Sequence, residues 1–135
     1  MKVEIFALCD AATDNRGKLN ILGTFDQIYA VKMPVVHPAC AIALRLRFDK
    51  IEEGLHKVNL QLINPDGVPV LQAMEGNVNP RMGADVGSVA VNLILNFQNV
   101  KFDDFADYQI NLSIDDVAMA TLPLRVRDMP RPELA

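Results

Sequence analysis

Asp104-Phe105-Ala106-Asp107-Tyr108-Gln109-Ile110-Asn111-Leu112-Ser113-Ile114 carries the pattern that decides the fold: Tyr108, Ile110, Leu112 and Ile114 alternate with Gln109, Asn111 and Ser113. A period of two places the apolar set on one face of an extended strand and the polar set on the other. Working outward, the same signature recurs. Ile42, Leu44, Leu46 and Phe48 alternate with Arg45 and Arg47, and Val58, Leu60 and Leu62 alternate with Lys57, Asn59 and Gln61. Val89, Val91, Leu93, Leu95 and Phe97 oppose Asn92 and Asn96, and Leu122, Leu124 and Val126 oppose Pro123, Arg125 and Arg127. No 3.6-residue apolar stripe is sustained over a dozen residues, so the pattern predicts an all-β chain.

Turn chemistry separates these runs. In Asn64-Pro65-Asp66-Gly67, Pro presets one φ angle and Gly tolerates positive φ, which predicts a tight hairpin. Asp115-Asp116 is a second, shorter hairpin loop, and Glu75 to Gly87, with Gly76, Pro80, Gly83 and Gly87, is the expected long mobile loop. Pro69 marks an edge strand, because proline cannot donate to a ladder. Lys2 to Cys9 is a first strand. Lys18 to Val31 is a second strand or a bent pair, with a bulge near Asp26-Gln27 where the apolar parity switches from Leu19, Ile21 and Phe25 to Ile28 and Ala30. The expected architecture is one antiparallel two-sheet sandwich of eight or nine strands. It spans residues 1–128, and an extended or frayed tail follows at 129–135.

Composition excludes several classes of function. At 135 residues, half of them hydrophobic, the chain is long enough to bury one core without staples. A net charge of −4 gives no basic surface for a phosphate backbone, so nucleic acid is not expected as a partner. No apolar run is long enough to span a bilayer, and Glu4 interrupts the first apolar stretch where a secretory signal needs continuity, which predicts a cytoplasmic protein. Cys9 and Cys40 sit in strand-like runs and read as buried thiols. His37 and His56 are isolated from each other and from any Cys cluster. Gly17-Lys18 lacks the second glycine, the Ser or Thr and the helix of a phosphate loop, so no cofactor is expected.

The segment Asp104 to Ile110 resembles the tyrosine corner of immunoglobulin-like sandwiches, although Ile110 stands where antibody domains place a cysteine. This implies that the Tyr108 phenol bonds back to upstream backbone, and it favours a sandwich over a closed barrel. Ala7-Leu8-Cys9-Asp10, Gly17-Lys18-Leu19-Asn20-Ile21-Leu22-Gly23-Thr24-Phe25, Met33-Pro34 and His37-Pro38 together resemble a family of small bacterial proteins without an assigned activity, with an immunoglobulin-like or C2-like sandwich. That resemblance implies a fold and transfers no catalytic residue.

If consecutive strands alternate in direction, the loops Asp10 to Gly17, Asp49 to Gly54, Gly76 to Gly87 and Asp115-Asp116 share one end. Asp10, Asp14, Asp49, Asp115 and Asp116 are then the candidate metal ligands, since hard cations such as Ca²⁺ take several oxygen ligands. Acids also favour turns for their own local hydrogen bonding and no D-x-D-x-D spacing is present, so both readings stand. Ala41, Ala43, Ala90 and Ile94 make the outer face of two strands unusually apolar, as on a covered or oligomeric surface. With no nucleophile, base and acid in a recognisable local context, the expectation is a non-catalytic interaction or structural module with a protein partner or a second copy. A small-ligand or Ca²⁺-binding sandwich is the alternative.

Overall fold

The computed structural model describes residues 1–129. Nine strands form two sheets: β1 (Lys2–Asn15), β2 (Lys18–Thr24), β3 (Gln27–Ala30), β4 (Val35–Asp49), β5 (His56–Ile63), β6 (Met74–Val78), β7 (Ser88–Phe102), β8 (Ala106–Ile114) and β9 (Val117–Asp128). A single 3₁₀ turn, Lys50–Glu52, follows β4. One sheet has the order β2-β1-β4-β7 and the other β3-β9-β8-β5-β6. No helix among the described residues is long and apolar enough to cross a membrane. Of the tail predicted at 129–135, only Met129 lies within the described residues, and its N–H donates to Ala30 O.

The alternating residues fill the space between the sheets. Ile42, Leu44, Leu46 and Phe48 of β4 meet Val58, Leu60 and Leu62 of β5 and the Tyr108 to Ile114 set of β8 in one buried core. Tyr108 makes its expected bond: the hydroxyl donates to Asp104 O at 2.7 Å, and its ring stands edge-on to Phe102. The Asp115-Asp116 hairpin also forms, with both residues at positive φ, the geometry of a two-residue turn that matches strand twist.

Several expectations are corrected. The parity switch at Asp26-Gln27 is a change of sheet, not a bulge: β2 belongs to the first sheet and β3 to the second, and Phe25-Asp26 crosses between them. β3 lies parallel to β9, so the sandwich is not wholly antiparallel. Pro69 makes only an isolated bridge to Ile63 after the tight Asn64 turn, and the edge strand is β6, which takes up the first part of the expected long loop.

Asp10 to Gly17 is strand rather than loop through Asn15, turning at Arg16-Gly17 where both φ angles are positive. Its polar composition hides its pairing with β2. β1 pairs with β4 only as far as Cys9, opposite Ala41, and beyond it runs with β2 alone. The resulting hairpin folds back over the outer face of its own sheet. Asn92 of β7 donates to Asp14 Oδ2 and Gly17 O at the hairpin tip, and Ala12, Leu19 and Ile21 cover Cys9, Ala41, Ala43 and Ile94. Ala41, Ala43 and Ile94 of the apolar outer face are therefore covered from within the chain, while Ala90 lies outside that cluster.

The fold-back turns on Gly23, which has φ +68° and lies where an added Cβ would meet the Asp10 carboxylate at 2.5 Å. A left-handed backbone costs a non-glycine residue about 1–2 kcal/mol. Gly23→Ala should therefore lower stability by about that amount in urea unfolding; an unchanged midpoint would show that the corner is not strained. Tyr108→Phe, which leaves Asp104 O without its donor, should cost about 1 kcal/mol in the same assay, and a neutral effect would remove the corner bond from the account of stability.

Candidate functional site

The predicted acidic end is built from three of the four loops. Lys50 N–H donates to Gly87 O, Gly54 N–H to Pro80 O, and Asp115 N–H to Lys57 O, so the 49–54, 80–87 and 115–116 segments adjoin. Asp14 lies instead at the hairpin tip beside Asn92, and Asp10 at the Gly23 corner, next to Cys9, whose partner Ala41 is eight residues of β4 from Asp49. Asp116 occupies the β8–β9 turn next to Asp115. Among the described residues, no three His, Cys, Asp or Glu side chains stand together as metal ligands.

Three acids of this end, Glu52, Glu53 and Asp115, are engaged locally. Glu52 accepts from Asp49 N–H at 2.8 Å and pairs with the Met1 ammonium at 2.7 Å, so its carboxyl is held below the usual range, first by the backbone bond. Glu53 accepts from Lys50 Nζ and Met82 N–H, which lowers it likewise. Asp115 accepts from Lys57 N–H through Oδ1 and meets His56 Nδ1 through Oδ2 at 2.6 Å; the backbone bond leads in lowering its pKa.

His56 is the hub of this network. Its Nε2 lies 2.6 Å from Glu52 O, and its ring stacks on Phe48 with centroids 4.7 Å apart. Both partners accept, so both nitrogens must donate, and the ring is favoured as imidazolium. The bond to Glu52 O is the largest cause raising its pKa, with Asp115 adding to it against burial. Such a ring has no lone pair to offer as a base.

His37 is different. It points between the sheets, 5.5 Å from the Phe25 ring, and its Nε2 is buried without a partner. It lines, with Cys40 and nine apolar residues, a cavity of about 20 Å³, room for about one water. Burial pushes the Cys40 thiol up to about 11, which keeps it protonated at neutral pH. Cys9 belongs to the cluster on the outer face while Cys40 belongs to the core, so the two thiols occupy opposite faces of the sheet.

The feature that sequence reasoning missed is the free edge of β7. β7 ends its sheet, and its backbone bonds only to β4 among the described residues. In an antiparallel pair about half of a strand's residues turn their N–H and C=O away from the partner. On β7 those groups face outward with no charge to guard them, because no Asp, Glu, Lys or Arg occurs from Val86 to Val100, the longest uncharged run in the chain. Val91, Leu93 and Leu95 point inward yet stay half-buried. Beside Asn96 to Lys101 lies an open cleft of about 370 Å³ whose far wall is Val70, Leu71 and Met74. The uncharged run was the available signal; that β7 lies at an edge was not readable from it.

β4 and β7 kink together where Pro38 opposes Asn99, which has φ +53°. Inward parity shifts there from Phe97 to Val100 and Phe102 on β7, and from Cys40 to His37 on β4. The straight part of the open edge is therefore Ser88–Gln98.

The His56 network sets a pH dependence. A folded-state pKa raised above the ordinary 6.5 gives stability that is fully present below pH 6.5 and lost as pH rises through the folded value. Asp115, lowered from 3.8, contributes above that pH and loses its contribution as pH falls through its folded value. Wild type should therefore lose stability relative to His56→Gln between pH 6 and 9 in urea unfolding, and parallel profiles would exclude the doubly donating imidazolium.

Among curated proteins, none matches this sequence. Residues 4–127 match the family described as "Family of unknown function (DUF6941)", a span from the third residue of β1 to the penultimate residue of β9. The chain, with its folded-back hairpin and open β7 edge, belongs to that family of unknown function.

Proposed function

We propose that this protein is a non-catalytic interaction module of the cytoplasm, an immunoglobulin-like or C2-like sandwich that captures an extended segment of a protein partner along β7. Strand addition takes its affinity from main-chain hydrogen bonds and its selectivity from pockets for alternate side chains. The single observation that carries this reading is an unguarded edge over Ser88–Gln98 beside a cleft whose far wall is Val70, Leu71 and Met74. The Tyr108 corner bond supports the immunoglobulin-like assignment.

The remaining chemistry agrees with binding rather than turnover. His56 is spent on two acceptors, the Cys40 thiol is held protonated, and the cavity beside His37 is too small for a substrate. The net charge of −4 favours a protein partner over nucleic acid.

A photo-crosslinking residue placed singly at Asn96, Lys101 or Tyr29 tests the reading in the producing cell. Adducts should form from positions 96 and 101 and be several-fold weaker from 29, an exposed position on β3 at the far edge of the other sheet. No adduct from 96 and 101, or equal yields from all three, would overturn strand capture.

A further inference from the structure

Natural sheets guard their edges with charge, proline, bulges or short length. β3 has four residues and β6 five, the latter with Glu75, and β2 carries Lys18 and the Gly23 corner. β7 presents eleven uncharged residues without interruption, from Ser88 to Gln98. An edge of that kind is complementary to itself. Antiparallel pairing about a two-fold axis brings the same backbone donors and acceptors together from both sides.

We propose that the occupant of this edge is β7 of a second copy, paired antiparallel and centred on Leu93, which joins two four-stranded sheets into one of eight. The inference rests on the strand-addition reading above and names its partner. Centring on Leu93 uses the whole straight edge, since Ser88 then faces Gln98 of the other copy. It also keeps the inward sets on one face, because Val89 meets Phe97 and Val91 meets Leu95.

Both limits of the edge fix the same centre. Val86 N–H donates to Gly83 O in a turn that precedes Ser88, and Asn99, at φ +53°, follows Gln98, so residues 88–98 are the stretch that can pair, and Leu93 is its midpoint.

The register is tested by single cysteines. Residues facing themselves across an antiparallel pair have Cα atoms about 4.5–5.5 Å apart, within disulfide range. Two Ser88 residues would instead lie ten positions apart, roughly 33 Å. Under mild oxidation Leu93→Cys should give a covalent dimer and Ser88→Cys should not, and light scattering of the wild type should report two copies.

A wild type that stays monomeric across concentrations, or a dimer that cross-links at 88 and not at 93, would overturn self-pairing at this register. A peptide of residues 88–98, titrated onto the wild type, separates the two readings. Saturable binding to a monomeric protein would sink self-pairing and leave strand capture standing, whereas no binding to such a monomer would sink both.

Discussion

The constraint on which the rest of the structure depends is that β4 must be covered on both faces. β1 and β7 satisfy its backbone on either side, and residues 40–44 are buried without a break. Ile42, Leu44 and Leu46 meet the opposing sheet, as in any sandwich. Ala41 and Ala43 face the other way, and an exposed alanine face would leave one side of the central strand open to water. The β1–β2 hairpin resolves this by reversing at Cys9 and the Gly23 corner and lying back across β4. Small side chains at 41 and 43 let the hairpin sit close. Asn92 holds the hairpin tip, with Arg45 also reaching Gly17 O.

How much of this was legible follows from where each signal lives. Alternation of side chains is local, so the inward sets of β4, β5, β7, β8 and β9 stand in the sequence and fill the core as expected. Turn chemistry is local too, and both Asn64-Gly67 and Asp115-Asp116 close as their residues require. Coverage of the outer face is not local. It depends on a polar strand, Asp10 to Asn15, whose residues resemble a loop because only Ala11 and Ala12 among them are apolar. The crossing at Phe25-Asp26 was misread for a related reason: a change of sheet and a bulge both shift parity by one.

The candidate site divides in the same way. Proximity of the 49–54, 80–87 and 115–116 loops followed from strand parity, but what their acids do depends on distances between side chains. Glu52, Glu53 and Asp115 each accept a backbone N–H and face one cationic group, so charge at this end ties loops to strands. His56 adds a second tie by bridging the 3₁₀ turn to the β8–β9 hairpin. Composition reports the acids; only the fold reports that these three are tied to backbone and cation.

Edges complete the argument, because a sandwich that is not closed must end each sheet somewhere. Three of the four terminal strands here are short, charged or bent, while the fourth is long and, over its first eleven residues, straight and free of charge. A strand of that kind is an association hazard in an isolated protein. Selection for solubility alone would place a lysine or glutamate within it at little cost, since Asn96 and Gln98 are already exposed. Those two positions are amides instead. An amide keeps the face polar without adding the charge that would repel a neighbouring strand.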